Sequence, residues 1–464
     1  MSDRLTVIEP GIGGARSADI DADGIPTDLR FHDDSNLSPL EGLYAARITN
    51  VDAANDMAFA DLGGGLQGSL SLRRAKLRVK GQVTGIKDCV TEGERLLVQV
   101  VAEPNASETK AASITPRPRL MGRYLVVEAG ASRLNFSKDL PPRTVKALQD
   151  TLSGYAETAA IIVRSSAIDI APEAIISEAE RLTSALAITA EAPGLVFAYS
   201  PLEKALLATP DDSAEILIEG GSAFADAKRI ASGGWPDLVP RLKLDEGSEA
   251  ALEHFGVNEA VEEALSDRIE LPSGGWISIT ETPAMTVVDV NMGSALKGRS
   301  ASDAKVQVNL EAALATLYHL RFQDIGGLVV VDFIDMAAKG GARELMTLIE
   351  RTVREDRVPL SHTGLSTFGL VEFARKRSGI SLRGRMQAPP LVRQRASAVA
   401  IDLLRRGAHL GGSAAPGALI VSGPEPVVGW IKANSQFLDE LKQASKRDVE
   451  LMLGSAPDVF LRGN

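Results

Sequence analysis

Two short runs of branched aliphatic residues that carry aspartates constrain the fold of this chain more than any other feature. The first, residues 285–291, contains Asp289 and Asn291, and the second, residues 327–335, contains Asp332. Such runs, bounded by turn or polar residues, are typical of buried central strands. A carboxylate there is costly to bury without a cation or a hydrogen-bond donor. Because side chains alternate along a strand, Asp289 and Asn291 are predicted to share one face.

The polar ends of these runs allow two interpretations. If the runs form neighbouring strands, Asp332 can join Asp289 and Asn291 in a small oxygen-rich site. Hard cations such as Mg²⁺ favour this kind of site, where one or two carboxylates and several waters bind the ion. The alternative is that these aspartates cap the helices that follow, and the residues alone leave both interpretations open.

The segment between the two runs has a helical apolar pattern. Leu310, Leu314 and Leu317 are predicted to form the face that covers the sheet. A strand, a crossover helix and a strand make a βαβ unit, which predicts that the two acidic strands are parallel. Asp335 lies an odd number of residues after Asp332 and therefore on the other face of an extended strand. We expect Asp335 to cap the next helix and not to bind metal.

Composition sets outer bounds on the class of protein. The 464 residues, 44% of them hydrophobic, suffice for roughly three globular domains. A single cysteine, Cys89, excludes an intramolecular disulfide framework and a multi-cysteine zinc site within one chain. No signal peptide is recognisable, and no run approaches the ~18 apolar residues of a membrane span. These features predict a cytoplasmic protein without a membrane partner.

The net charge of −11 conceals two basic groups. Residues 373–410 contain nine basic side chains and one acid, Asp402. The nine are Arg375, Lys376, Arg377, Arg383, Arg385, Arg393, Arg395, Arg405 and Arg406. A second group comprises Arg73, Arg74, Lys76, Arg78 and Lys80. Local positive patches can provide phosphate contacts whatever the whole-chain charge, so these groups favour RNA binding, although a solvated helix face is the alternative.

Residues 37–116 read as a series of short strands with a turn at residues 63–65. Short strands with glycine-rich turns over about 80 residues are typical of a small barrel such as an OB-fold. Barrels of this kind bind single strands through aromatic stacking and a basic groove. Phe59 is the candidate exposed aromatic, and a buried core phenylalanine is the alternative.

Several longer motifs occur in an order that resembles a known family. They are residues 268–275, 286–291, 309–313, 324–336 and 368–375. Together they resemble the catalytic region of the ribonuclease E/G family, and the interval from Asp289 to Asp332 is also similar to the family's. The weaker similarity of the N-terminal segments extends the resemblance over most of the chain, which looks closer to the short, ribonuclease G type of member.

The resemblance implies a multidomain α/β and α+β fold, with RNase H-like and DNase I-like parts and an inserted OB-fold barrel. It implies an RNase H-like domain formed by residues 1–36 and 201–275, with the barrel at 37–116. A domain similar to the family's 5′-end sensor is expected at 117–200. The catalytic, DNase I-like domain is expected at 276–385, and a linker with a small C-terminal domain at 386–464.

The resemblance also implies an activity. It is that of a magnesium-dependent endoribonuclease that cuts single-stranded RNA to 5′-phosphate and 3′-hydroxyl ends, in rRNA or tRNA processing or mRNA decay. Asp289 and Asp332 match the two carboxylates that bind the magnesium, and Asn291 matches the residue that orients one of them. Two alternatives stay open, a non-catalytic RNA-binding protein of the same fold and a nuclease that prefers DNA.

Further RNA-binding residues follow from the resemblance. Phe59 matches the first of two barrel phenylalanines that pack on a base, and Lys110 matches a lysine of the RNA channel. Gly122, Val126 and Arg164, with Ser165 in place of a threonine, match a pocket that senses a 5′-monophosphate. Two family positions have changed: the second stacking phenylalanine falls at Ser69, and a pocket arginine falls at Pro359.

The chain departs from the family most clearly at a zinc-binding motif. Where the family has two cysteines that link subunits through a shared zinc, residues 383–391 contain neither cysteine nor histidine. Cysteine and histidine are the usual ligands of structural zinc, so we expect no zinc site there. A homodimer would have to form through other contacts.

Overall fold

The computed structural model describes residues 4–79, 81–102, 111–282, 284–295, 300–336, 339–377, 379–388, 393–412 and 416–462. The first strands are β1 Leu5–Gly11, β2 Gly14–Ile20, β3 Pro26–Asp33, β4 Leu43–Asp52, β5 Met57–Asp61, β6 Gln67–Ser71, β7 Arg95–Ala102, β8 Ala112–Thr115, β9 Arg119–Met121, β10 Leu125–Ala129, β11 Arg133–Phe136, β12 Ala159–Val163 and β13 Gly194–Phe197. The later strands are β14 Glu215–Glu219, β15 Leu242–Asp245, β16 Ile269–Glu270, β17 Trp276–Glu281, β18 Thr286–Asn291, β19 Gly327–Asp332, β20 Leu360–His362, β21 Leu370–Arg375, β22 Gln387–Ala388, β23 Arg393–Gln394, β24 Leu419–Gly423, β25 Val449–Leu453 and β26 Asp458–Leu461.

Helices connect these strands. They are α1 Leu72–Ala75, α2 Pro142–Ala156, α3 Pro172–Leu186, α4 Pro201–Ala208, α5 Gly221–Gly234, α6 Ala251–His254, α7 Val257–Leu265, α8 Ala301–Phe322, α9 Lys339–Thr352, α10 Leu382–Met386, α11 Ala396–Gly411, α12 Glu425–Ala433 and α13 Ser435–Ser445. Short 3₁₀ turns lie at Lys76–Arg78, Ile86–Asp88, Ser165–Ala167, Val239–Arg241 and Val353–Glu355. Among the described residues, no helix is both long and apolar enough to cross a bilayer.

The first sheet joins the beginning of the chain to its middle. Its strand order is β15-β14-β1-β2-β3, in which β1 runs parallel to β14 and antiparallel to β2. Because β14 pairs directly with β1, the chain between β3 and β14 is an insertion into this sheet. That insertion holds the barrel strands and a four-stranded sheet of order β11-β12-β10-β9.

The inserted barrel consists of β4, β5, β6, β8 and β7, and the pairing of β7 with β4 closes it. Strands β6 and β8 are parallel, and the other barrel pairs are antiparallel. The barrel is consistent with an OB-like fold, which confirms that part of the sequence prediction. The predicted turn at Gly63 to Gly65 joins β5 to β6, and all three glycines have positive φ. A side chain on Gly63 would also lie 2.5 Å from the Pro193 carbonyl oxygen.

The sheet that carries the two acidic strands has the order β16-β17-β18-β19-β21-β20. Strands β18 and β19 are parallel neighbours, and α8 connects them, as the βαβ pattern predicts. The predicted apolar face of α8 is wrong at one position: Leu314 does not cover the sheet, because its side chain is 44% exposed. Val308, Ala312 and Leu320 are fully buried in the core shared with the sheet.

The last part of the chain forms a small three-stranded sheet, in which β24 pairs in parallel with β25 and antiparallel with β26. Helices α11, α12 and α13 contribute to its core, which includes Leu403, Ile431 and Leu441. Ile12, from the turn between β1 and β2, belongs to the same core. The C-terminal part therefore packs against the first sheet.

Candidate active site

Asp289 and Asp332 are direct partners in the parallel pairing of β18 with β19. The alternation along both strands separates two faces. Val288 and Val331 are fully buried, whereas Asp289 and Asp332 are exposed. Neighbouring strands lie about 4.8 Å apart, so the two carboxylates project side by side from one face of the sheet.

Asn291 supports this carboxylate pair from the same face of β18. Its side-chain amide donates a 2.7 Å hydrogen bond from Nδ2 to Oδ2 of Asp289. A hydrogen bond from an amide fixes the orientation of the carboxylate that accepts it. The bond leaves Oδ1 of Asp289 able to face a ligand together with Asp332.

Asn309 holds the chain that follows Asp332, and sequence reasoning did not single it out as a site residue. It is fully buried on α8. Its Nδ2 donates to the carbonyl oxygen of Ile334 over 2.8 Å, and its Oδ1 accepts from the Ile334 amide over 3.0 Å. The signal in the sequence was a polar residue on the apolar face of a helix, where a buried amide needs partners.

Asp335 remains outside the carboxylate pair. Its carbonyl oxygen accepts a 3.1 Å hydrogen bond from Lys305 Nζ. Helix α9 begins at Lys339, and residues 337–338 lie outside the described part of the chain. The predicted helix-capping role of Asp335 therefore stays a prediction.

The donor set of the carboxylate pair fits a magnesium ion. Two ionisable oxygen donors face solvent next to each other, and Mg²⁺ binds through one or two carboxylates while keeping several waters. Within the described residues there is no cluster of three or more His, Cys, Asp or Glu side chains suited to a metal. Asp289 and Asp332 would hold such an ion.

The residues predicted to sense a 5′-phosphate lie on the sheet formed by β9 to β12. Arg164 follows β12, and its Nη1 donates a 2.7 Å hydrogen bond to the Gly122 carbonyl oxygen. Val126 is buried on β10, opposite Ile162. Ser165 is exposed beside Arg164. The structure therefore brings these four predicted residues together, and Arg164 and Ser165 are the two that have polar side chains.

A buried carboxylate beneath this group explains why position 122 is glycine. Glu178 accepts hydrogen bonds from the backbone amides of residues 123–125 and from the Trp235 indole. Burial raises the pKa of Glu178, and these donors act in the opposite direction. A Cβ atom at Gly122 would lie 2.5 Å from the Glu178 carboxyl carbon. Gly122 thus lets the loop close over Glu178.

The outer face of the barrel carries Phe59. Ala58 and Ala60 are buried in the barrel core, and Phe59 points outward and is half-buried. Its direct partner on β6 is Ser69, which in turn pairs with Ser113 on β8. Arg74 donates a hydrogen bond to the Ser113 hydroxyl. The predicted Lys110 lies outside the described residues.

Comparison with known proteins identifies the family. The model of the ribonuclease E/G family matches residues 119–378, more than half of the chain. The chain belongs to the ribonuclease E/G family. The resemblance seen in its sequence motifs is therefore confirmed.

Several relatives within this family are similar over much of the chain. Ribonuclease E of Haemophilus influenzae is 29% identical over 373 residues, which cover 76% of this chain and 40% of the relative. Ribonuclease E of Escherichia coli is 29% identical over 374 residues, or 76% of this chain and 35% of the relative. Ribonuclease G of Escherichia coli is 28% identical over 380 residues, or 77% of each chain. The match therefore spans less than half of the ribonuclease E relatives and most of ribonuclease G.

The basic cluster at residues 373–410 of this ribonuclease E/G chain is only partly available to RNA. Arg375 is buried between Asp324 and Asp356, and Arg385 pairs with Asp33. Two further arginines are bound to backbone carbonyls: Arg383 donates to Ala264 and Ser266, and Arg405 donates to Ile12. The prediction that this basic group contacts RNA is wrong for these four arginines, because they join separate parts of the fold. Lys376 and Arg377 are exposed.

Proposed function

We propose that this protein is a magnesium-dependent endoribonuclease that cleaves single-stranded RNA and leaves 5′-phosphate and 3′-hydroxyl ends. The pairing of Asp289 with Asp332, with Asn291 bonded to the first, carries the proposal. Membership of the ribonuclease E/G family supports the reaction class. Both carboxylates are exposed, so a phosphodiester backbone can approach them from solvent.

Each residue has a distinct part in the proposed reaction. Asp289 and Asp332 would hold the cation, and Asn291 would keep the Asp289 carboxylate in the orientation that binding requires. Bound Mg²⁺ would neutralise charge on the scissile phosphate and help to generate the attacking water. Asn309 would act only as a positioning residue, because it contacts the chain after Asp332 and not the substrate.

The proposal is tested by cleavage of a fluorescent single-stranded RNA in a magnesium titration. Asp289→Asn and Asp332→Asn should each lower the rate by at least about a hundredfold, since each removes a charge from the ion. Asp335→Asn is the matched control and should retain the parent rate. A wild-type rate in both site variants would refute the mechanism. Mapping of the product ends tests the predicted 5′-phosphate and 3′-hydroxyl.

A non-catalytic RNA-binding protein is the second candidate. It is favoured by the serine opposite Phe59 and by the absence of a pocket arginine at Pro359. The exposed carboxylate pair argues against it, because negative charges repel RNA unless a cation binds between them. RNA binding without cleavage across magnesium and manganese titrations would support this candidate. Cleavage of matched DNA in preference to RNA would point to a DNA nuclease.

Sensing of the RNA 5′ end is a further part of the proposal. Arg164 and Ser165 could bind a terminal phosphate through a charged fork and a hydroxyl. The test compares otherwise identical RNAs with 5′-monophosphate, 5′-triphosphate and 5′-hydroxyl ends. A preference for the monophosphate that Arg164→Met abolishes would support sensing, and equal rates would contradict it.

The domain types, the cellular role and the oligomeric state are also proposals. The order β15-β14-β1-β2-β3 supports an RNase H-like domain from residues 1–36 and 201–275. The six-stranded sheet with α8 supports a DNase I-like catalytic domain at 276–385. We propose a role in rRNA or tRNA processing or mRNA decay in the cytoplasm. Any homodimer would form without zinc.

A further inference from the structure

Phe368 stands out among the apolar side chains near the carboxylate pair. It is 83% exposed, more than any other large hydrophobic residue in the described part of the chain. Single exposed hydrophobic residues are common and need no explanation by themselves. Phe368 differs from other exposed residues because it lies near the carboxylate pair and its backbone is held by hydrogen bonds.

The loop that carries Phe368 is attached to the strand of Asp332. The backbone amide of Phe333 donates a 3.1 Å hydrogen bond to the carbonyl oxygen of Gly369. Leu370, two residues after Phe368, is the direct partner of Asp332 in the pairing of β19 with β21. Phe368 therefore lies just before β21, at the same end of the sheet as the carboxylate pair.

Hydrogen bonds within the loop fix the backbone around Phe368. The Ser366 hydroxyl accepts from the amides of Phe368 and Leu370, over 3.3 and 3.1 Å. The Ser366 amide donates to the Leu370 carbonyl oxygen over 2.9 Å. The Gly369 amide donates to the Ser366 carbonyl oxygen over 3.1 Å. Gly369 has φ of 79°, which favours glycine. The ring is thus presented to solvent from a turn that is already formed.

We propose that Phe368 stacks on an RNA base next to the scissile phosphate. The inference rests on the proposed function, because the carboxylate pair must be the cleavage centre. Bases present a flat aromatic face whatever their identity, so one exposed ring can position a single strand without reading its sequence. A ring on a pre-formed turn loses little conformational freedom on binding. Phe368 would hold one nucleotide while the adjacent phosphate lies at Asp289 and Asp332.

Steady-state cleavage of a fluorescent RNA tests the contribution of the ring. Phe368→Ala should raise KM about tenfold, the size expected for loss of one base stack. Phe368→Tyr should restore the parent KM because it keeps the ring, and Phe368→Leu should behave like Phe368→Ala. Leu453→Ala, at another exposed apolar residue on β25, should leave KM unchanged. A parent KM in both Phe368→Ala and Phe368→Leu would overturn the proposal.

A binding measurement separates this inference from the proposed function. Phe368→Trp is made in the Asp289→Asn, Asp332→Asn background and titrated with a 12-nucleotide single-stranded RNA. Stacking should quench the added tryptophan fluorescence, measured as the difference from the same background with Phe368. No added quenching at saturating RNA would overturn the stacking proposal. Because this readout needs no cleavage, loss of activity alone cannot produce that result.

Discussion

Asp289 and Asp332 lie side by side on two neighbouring parallel strands, although a 22-residue helix separates the strands along the chain. The pairing depends on the buried valines that alternate with the aspartates. A shift of one residue would turn the carboxylates into the core and the valines into solvent. The packing of Val288 and Val331 thus fixes the geometry of the site, and the chemistry of the pair follows from the hydrophobic pattern.

We predict that Asn291→Ala weakens activity by raising the magnesium requirement. The bond from Asn291 orients Asp289, and loss of such a supporting contact typically costs about 10–100-fold in metal affinity or activity. The measurement is the cleavage rate as a function of magnesium concentration. Trp276→Phe changes the residue opposite Asn291 on β17 and serves as the control. An unchanged magnesium dependence in Asn291→Ala would contradict the assigned role.

Asn309→Leu should destabilise the protein by about 1–3 kcal/mol, because it removes the Asn309 partners of the partly buried amide and carbonyl of Ile334. The matched control is Thr316→Val on the same helix. Thr316 is fully buried, and its hydroxyl has no hydrogen-bond partner among the described residues. Loss of this hydroxyl should leave the free energy of unfolding unchanged or raise it slightly. Urea denaturation gives both values, and equal effects of the two substitutions would argue against a stabilising role for the two hydrogen bonds of Asn309 to Ile334.

The sequence predicted the parts of this fold that local pattern controls. The two central acidic strands, their parallel βαβ connection and the small barrel all follow from alternation, helical spacing and glycine turns. Side-chain partners far apart in the chain were not predictable in this way. Leu314 has the spacing of a core residue but faces solvent. The hydrogen bond of Arg385 to Asp33 joins residues from opposite ends of the sequence, so charge clustering alone suggested a nucleic-acid surface instead.

Arg375 gives a test of such a long-range contact. Its guanidinium lies between Asp324 and Asp356, with contacts of 2.8 and 2.7 Å. Arg375→Met should lower the free energy of unfolding by about 3–5 kcal/mol, because it leaves two carboxylates without their cation in a partly buried site. Lys376→Met, at the exposed neighbour, should change stability by less than about 0.5 kcal/mol. Comparable losses in urea denaturation would contradict this difference.

Two buried histidines should make the protein less stable in mild acid. Burial and the charge of Arg383 lower the pKa of His319 to about 4. Burial, with Arg30, Lys204 and Arg385, lowers the pKa of His32 to about 3. In the unfolded chain both histidines have the ordinary histidine pKa of about 6.5. Between these values the unfolded state binds more protons, so stability falls as the pH drops below about 6.5.

The His319 contribution to this acid sensitivity can be isolated. His319→Gln removes the titrating group and should flatten the pH dependence of unfolding, by on the order of 3 kcal/mol between pH 6.5 and 4. The measurement is the urea midpoint at several pH values for both proteins. His254→Gln, at an exposed histidine, is the control. A parallel pH dependence in the parent and in His319→Gln would show that His319 does not cause the effect.

Ser69→Phe should strengthen RNA binding by the barrel. Ser69 is the direct cross-strand partner of Phe59 on the outer face, so a ring there would lie beside the existing one. One additional base stack is worth about 1–3 kcal/mol, or roughly a 5- to 150-fold lower Kd. Among the described residues the Ser69 hydroxyl makes long contacts, 3.3 and 3.4 Å, to the carbonyl oxygens of Ala112 and Ala111, so its loss should cost little stability.

Fluorescence anisotropy with a labelled single-stranded RNA measures this gain, and a double-mutant cycle with Phe59→Ala locates it. If the two rings form one platform, Phe59→Ala should cost more in the Ser69→Phe background than in the parent. Equal costs in both backgrounds would mean that the new ring binds RNA independently of Phe59. An unchanged Kd in Ser69→Phe would show that RNA does not contact this face of the barrel.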